Sequence, residues 1–306
     1  MNPLRTALIR ASESDTLRRQ VSSRPLTRRL ALRYVAGETL EDGLAITRRL
    51  CAEGKTVTLD YVGESVREAD EARAACKVYL EALDRVGAEG LDCGVSVKPT
   101  QMGIELSEGL CLELLGEIVA AAERIGVHVT LDMEGSDLTE ATVRLVEQLH
   151  AAGHTDVGCA LQAYLHRTRA DVERLSRIGA SVRLCKGAYA EPATIAYQRR
   201  IDVDRNYARC AAYLLEHGTY PRLATHDERL IARARYDADR LGRSPDEYEF
   251  QMLYGVRPSL QDRLVAEGHR VRVYVPFGSE WYAYFVRRIA ERPANVLFFL
   301  RSLRDT

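Results

Sequence analysis

Only four of the 43 basic side chains in this 306-residue chain are lysines, at positions 55, 77, 98 and 186. Two of them, Lys98 and Lys186, close short β-rich runs, and Arg183 lies inside another. Burying a guanidinium costs on the order of several kcal/mol unless an anion or acceptor meets it. A bound ligand with polar edges would meet that need. Near the C-terminus Tyr284, Arg287, Arg288 and Glu291 are spaced by zero, three, four and seven residues. That spacing puts them on one face of a helix. Adjacent arginines can grip one carboxylate as planar donor forks, and Lys98 across the mouth would add a third positive contact. The plainer alternative is a solvated face with Arg287–Glu291 and Arg288–Glu291 surface pairs.

These residues must be placed by a scaffold, and the pattern after Gly54 supplies one. Eight strand candidates, 56–60, 94–98, 128–132, 156–161, 181–185, 222–226, 249–253 and 271–275, alternate with helical stretches. The stretches cover about 65–86, 108–125, 139–152, 169–178, 193–217, 227–241, 259–267 and 280–291. Strand–helix alternation predicts parallel β/α units, and eight of them predict a closed (β/α)8 barrel of the TIM type. The barrel should span 54–306, with an N-terminal helical arm over 1–53. That arm carries helical patterns near 3–20, over 26–34, and after Thr39, whose spacing to Asp42 resembles a capping box. Side chains alternate across a strand. One parity is apolar (Val95 and Val97; Val129 and Leu131; Val182 and Leu184) and should face the helices. The other carries Ser96 and Lys98, Thr130 and Asp132, Ser181 and Arg183, Gln251, Arg272 and Tyr274. It should face the interior, its polar members gathering at the C-terminal strand ends where barrel active sites sit.

In order along these strands, the residues resemble the proline dehydrogenase family in its compact bacterial form. The resemblance runs from Leu59-Asp60-Tyr61-Val62-Gly63-Glu64 to the last helix. Its most specific segments are Val182-Arg183-Leu184-Cys185-Lys186-Gly187-Ala188-Tyr189 and the YxxRRxxE pattern from Tyr284 to Glu291, with support from Thr225-His226 and Gln251-Met252-Leu253. It implies flavin-dependent oxidation of L-proline to Δ1-pyrroline-5-carboxylate, with FAD as cofactor and electrons passing to a membrane quinone. By that resemblance Lys98, Arg287 and Arg288 hold the proline carboxylate. Tyr284 and Leu253 lie by the ring, and Asp132 and Tyr274 form a hydrogen-bonded pair. Glu64 is a gate that pairs with Arg287. FAD contacts fall on Gln162, Arg183, Lys186, Gly187, Ala188, Thr225, His226, Gln251 and Glu291. The chain departs from the pattern at Ala190, at Asp227 and at Arg292-Pro293.

Bulk properties narrow the field. A net charge of −1 gives no pull toward nucleic acid or an anionic membrane. Seven scattered cysteines without a CxxC fit free thiols in a reducing compartment, hence a cytoplasmic enzyme. Contact with a quinone would require peripheral contact at the inner membrane face, and the product would pass to a separate pyrroline-5-carboxylate dehydrogenase. Residues 1–34 carry eight arginines against Glu13 and Asp15, a pattern read as an exposed helical arm. His150 and His154 are four apart but lack a third ligand, so no metal is expected. Two other readings share the barrel: a Schiff-base aldolase or lyase using Lys98 or Lys186, and a non-catalytic proline-binding barrel.

Overall fold

The computed structural model describes residues 31–63 and 66–290, except the side chains of residue 283 and residues 287–290. The patterns near 3–20 and most of 26–34 therefore lie outside the described residues. The expected closed barrel is present: eight parallel strands pair in sequence order, and β8 closes on β1. The strands are β1 (Thr56–Tyr61), β2 (Cys93–Val97), β3 (Val129–Leu131), β4 (Val157–Gln162), β5 (Ser181–Cys185), β6 (Arg222–Ala224), β7 (Glu249–Leu253) and β8 (Val271–Phe277). A helix α1 (Leu40–Ala52) precedes β1. Then α2 (Ala69–Glu89), α3 (Glu108–Arg124), α4 (Thr139–Ala151), α5 (Thr168–Arg177), α6 (Arg200–His217), α7 (Glu228–Leu241), α8 (Pro258–Ala266) and α9 (Trp281–Ala290) follow successive strands.

Local sequence explains where these helices begin. Thr39 caps α1 through the expected capping box, its side chain accepting from the Asp42 N–H while Asp42 accepts from the Thr39 backbone. Leu44 and Leu50 of α1 are buried with Val57, Leu59, Val273 and Val275, so this helix covers the outside of β8 and β1. The helix expected from 193 starts only at Arg200. Residues before it run back along the β4–α5 loop instead: the Tyr197 N–H donates to Tyr164 O at 2.8 Å, and the His166 N–H to Ile195 O at 2.9 Å. Those loop bonds take the place of the helical pattern there.

The apolar parity of each strand meets the helices as expected. Val95, Val129, Val157, Val182, Leu223, Phe250 and Val271 lie in the main core cluster. Gly158 faces the interior. A Cβ there would stand 1.8 Å from Ser181 O, so only glycine lets β4 and β5 pair at that level.

The polar parity divides into two levels, which the sequence reading did not separate. Arg272, expected near the mouth, begins β8 and lies at the closed bottom of the barrel. There Glu249 accepts from Arg222 Nη1 at 2.8 Å, from Arg272 Nε at 2.9 Å and from Gln251 Nε2 at 2.6 Å. Arg222 also donates to Ser181 Oγ at 2.7 Å, and Arg272 to Val57 O at 2.6 Å. All three charged groups are buried. Burial pushes the Glu249 carboxyl up, but Arg272 and Arg222 outweigh it and hold it at about 2. Its folded value lies below the unfolded carboxylate value of about 4.3. The contribution to stability is therefore full above that value and is lost as pH falls toward 2. Replacing Glu249 with glutamine takes the carboxylate from buried Arg222 and leaves Arg272 only the longer pair with Asp92 at 3.4 Å, and should cost about 3–5 kcal/mol in urea unfolding at neutral pH. The gap between variant and parent should narrow on acidification below about pH 4. Equal stability at neutral pH would show that the network does not hold the barrel.

Candidate active site

The open end of the barrel holds a cavity of about 1320 Å³. That exceeds the roughly 300–1,000 Å³ of an ordinary small-molecule pocket, leaving room for a large ligand and a small one together. Lys98, Asp132, Gln162, Arg183, Lys186, Gly187, Ala188, Thr225, His226, Gln251, Leu253, Tyr274 and Tyr284 all line it. Glu64 and Glu291, and the side chains of Arg287 and Arg288, lie outside the described residues. The backbone at 287 and 288 belongs to α9, the helix that brings Tyr284 to the cavity.

Arg183 on β5 forms the floor. Its Nη1 donates to Asp132 Oδ1 at 2.6 Å and to Ser96 Oγ at 2.9 Å. Ser96 in turn donates to Asp132 at 2.7 Å. The Tyr274 hydroxyl donates to the other Asp132 oxygen at 2.7 Å, and its ring stands 5.3 Å from the Arg183 guanidinium carbon. Burial first, then the negative Asp132 and Asp60, hold the Tyr274 phenol well above its ordinary value, so it remains a donor. The Arg183 side chain is 6% exposed, yet its Nε and Nη2 have no hydrogen-bond partner among the described residues. Unmet donors of a buried guanidinium beside a cavity call for acceptors on a ligand.

Lys98 closes the floor on the opposite side. Its Nζ lies 2.5 Å from Oδ1 of Asp60, at the end of β1. Burial pushes the Asp60 carboxyl up, while the Lys98 charge pulls the other way. Sequence reasoning passed over Asp60, although a signal was there. Thr58-Leu59-Asp60 repeats the triplet Thr130-Leu131-Asp132 at the end of another strand.

At the mouth, Lys186 Nζ meets Asp204 of α6 at 2.5 Å and Asp227 at 3.1 Å. Asp227 is the N-cap of α7, accepting from the Arg229 N–H, and also pairs with Arg200 at 3.3 Å. Burial raises its carboxyl, but Arg229 and Lys186 more than offset that and hold it far below the carboxylate range. Lys186, Arg200 and Arg229 thus share two carboxylates, leaving a local positive excess that suits a phosphate-bearing ligand. Asp204, like Asp60, was missed in the sequence; it lies mid-helix with no local pattern to mark it.

Several expected ligand contacts also organise the loops. Gln162 Nε2 donates to Glu134 O at 3.0 Å, and its Oε1 accepts from the Ala188 N–H at 3.1 Å. His226 Nε2 accepts from the Leu253 N–H at 3.0 Å, which fixes the tautomer with the proton on Nδ1. Gly187 was expected to be glycine for close approach to a phosphate. The structure supplies a protein reason: φ is +114°, and a Cβ would stand 2.1 Å from the Tyr164 ring. His150 Nε2 lies 2.8 Å from Val157 O, and His154 Nδ1 lies 2.9 Å from Glu123. The two helix-end histidines therefore serve separate structural contacts. Cys185 lines the cavity, but burial pushes its thiol up to about 12, which makes it a poor nucleophile.

A family described as "Proline dehydrogenase" matches residues 44–301. "Proline dehydrogenase 1" of Bacillus subtilis is 37% identical over 277 residues, covering 90% of this chain and 91% of the relative. "Proline dehydrogenase" of Deinococcus radiodurans is 38% identical over 278 residues, with 90% of each covered. A crystal structure of proline utilization A (PutA) from Bdellovibrio bacteriovorus, inactivated by N-propargylglycine, superposes with a TM-score of 0.81 at 26% identity. The match covers 87% of this chain and 33% of that one, so the present chain spans about a third of that larger protein.

Gly187→Ala should lower stability by about 1–3 kcal/mol, through backbone strain at positive φ together with the clash at Tyr164. Thermal unfolding measures this; an alanine variant that melts with the parent would contradict the packing described at the mouth.

Proposed function

The chain belongs to the proline dehydrogenase family, and from that premise we propose that its cavity binds FAD and L-proline and that the enzyme forms Δ1-pyrroline-5-carboxylate. As a member it is an oxidoreductase acting on proline, at the first step of proline catabolism. The observation that carries the cofactor reading is the pair of unmet Arg183 nitrogens, Nε and Nη2, buried at the cavity floor. A flavin ring offers carbonyl and ring-nitrogen acceptors along one edge, and a fixed positive group there favours negative charge on it. The excess of cations around Asp204 and Asp227 fits the diphosphate, with Lys186, Thr225 and His226 beside it. When bound, FAD supplies the hydride acceptor that no side chain can provide.

The residues of the chain bind and orient. By family resemblance Lys98 at the floor, together with Arg287 and Arg288 on the helix of Tyr284, would hold the carboxylate. Holding a small amino acid at several points fixes its ring relative to the flavin, an effect worth several kcal/mol on the order of a well-oriented intramolecular reaction. Leu253 and Tyr284 supply the apolar and aromatic walls for the ring. Tyr274, held as a donor, and Asp132 keep Arg183 in place. Glu64 is assigned as a gate to Arg287 and Glu291 as a cofactor contact by family resemblance alone. A membrane quinone as final acceptor and a separate pyrroline-5-carboxylate dehydrogenase as consumer rest on the same resemblance. A quinone would require peripheral membrane contact of a cytoplasmic enzyme, since no described helix is long and apolar enough to cross a bilayer.

The Schiff-base alternative fares worse on geometry. It needs a free neutral amine, whereas Lys98 is engaged by one carboxylate and Lys186 by two. A non-catalytic proline-binding barrel would not require unmet donors on the floor of a cavity larger than a small amino acid fills.

Purified protein should be yellow, and anaerobic proline should bleach its flavin absorbance. A colourless protein that forms a borohydride-trapped adduct at Lys98 or Lys186 would support the Schiff-base reading instead, and tight proline binding without bleaching would support the binding barrel. Arg288→Met should raise KM for proline about 10- to 100-fold, the loss of one charged hydrogen-bonded contact, with flavin retained. Unchanged proline kinetics in that variant would remove Arg288 from the carboxylate site.

A further inference from the structure

Ser96 belongs to the Arg183 cluster, yet the functional reading leaves it without a role. It lies on β2, is wholly buried, and does not line the cavity. A hydroxyl has one proton to give and lone pairs that accept. Two acceptors are within reach of the Ser96 proton, Asp132 Oδ1 at 2.7 Å and Thr130 O at 3.3 Å. The shorter bond, to a charged oxygen, takes it. The lone pairs then accept from Arg183 Nη1 at 2.9 Å, and the same nitrogen donates to Asp132 Oδ1 at 2.6 Å. Arg183, Ser96 and Asp132 thus close a ring of three hydrogen bonds. The ring is long in reach. Arg183 starts from β5, where its register partner on β4 is Ala160, a side chain too short to intervene, and it meets Asp132 beyond β3 and Ser96 on β2.

We propose that Ser96 is the positioning residue for Arg183. A guanidinium held through one acceptor can swing about that bond. Acceptors on two different strands take both hydrogens of Nη1 and fix the plane of the group. Nε and Nη2, which lack partners among the described residues, then keep a single orientation. Fixing them before a ligand arrives removes an ordering cost from binding. This assignment rests on the reading of the cavity as a flavin site. Ser96 sets how the free donors of Arg183 meet the acceptor edge of the ring, and it acts only through Arg183.

The test uses the full chain stripped of flavin and FAD as the probe, with the dissociation constant read by flavin fluorescence. Ser96→Ala removes the second acceptor of Nη1 and adds no bulk. It should weaken FAD binding about tenfold, roughly the worth of one hydrogen bond to a charged group. In an Arg183→Met background the same substitution should change the constant by less than about twofold, because no guanidinium remains to be oriented. A purely structural role would weaken binding by the same factor in both backgrounds, so equal factors overturn the assignment. So does a Ser96→Ala protein that binds FAD like the parent. Ser96→Cys, whose thiol is a weak acceptor, takes the place of the alanine variant under the same criteria if that variant does not fold. Should the Arg183→Met proteins not fold, the midpoint potential of the bound flavin decides. A misaligned cation favours negative charge on the ring less, so the potential of the Ser96 variant should lie at a more negative value than that of the parent, and an unchanged potential overturns the assignment. A parent that binds no FAD overturns the functional reading, and this assignment with it.

Discussion

A charge placed inside a closed barrel has no bulk water to solvate it, so every interior cation must find an anion or a hydrogen-bond acceptor. The whole interior of this barrel is arranged by that requirement. At the bottom Arg222 and Arg272 share Glu249, which also accepts from Gln251, while a serine hydroxyl and a backbone carbonyl take further arginine donors. At the upper level Arg183 takes Asp132 and Lys98 takes Asp60. Each of these interior cations thus has a carboxylate, but at the cavity the bonding of Arg183 is left incomplete. Among the described residues, two nitrogens of Arg183 lack hydrogen-bond partners. The lower network closes the barrel, and the upper one forms the cavity floor, where donors of Arg183 are unmet by the described residues.

The mouth follows from the same principle with water nearer. Lys186 leaves β5 between Asp204 and Asp227, and the three cations around those carboxylates leave a positive excess toward the cavity. Gly187 lets the chain turn while the Tyr164 ring fills the space a side chain would take. Gln162 then ties the next residue, Ala188, to the end of β4. The loop that bears the most specific family segment is therefore held by protein contacts of its own, so its shape does not depend on a ligand.

Much of this was legible in the sequence because strand periodicity is a strong signal. Alternating parity in runs such as 94–98 and 271–275 identified both the helix-facing core and the residues that now line one cavity. What was lost is informative. Arg272 shares its parity with Tyr274, but parity does not say at which end of the barrel a residue stands; that depends on register between strands, which pairs Arg272 with Thr56 at the bottom. The helix expected from 193 began late because its first residues bond to a distant loop, a tertiary choice with no local cue. Asp204 escaped notice because a lone aspartate gains meaning only from the lysine it meets in space, whereas Asp60 stood in a repeated Thr-Leu-Asp triplet that parity alone did not single out. The arginine pair of the last helix stood out through spacing, and the family match extends across it.

The central claim is that Arg183, half satisfied by Asp132, turns its remaining donors to a bound flavin. The most direct measurement is the dissociation constant of FAD for the parent and for Arg183→Met, read by flavin fluorescence on the refolded apoprotein. Loss of two charged hydrogen bonds of about 1.5–3 kcal/mol each predicts binding weaker by at least about 100-fold. An Arg183→Met protein that binds FAD as tightly as the parent would contradict the account.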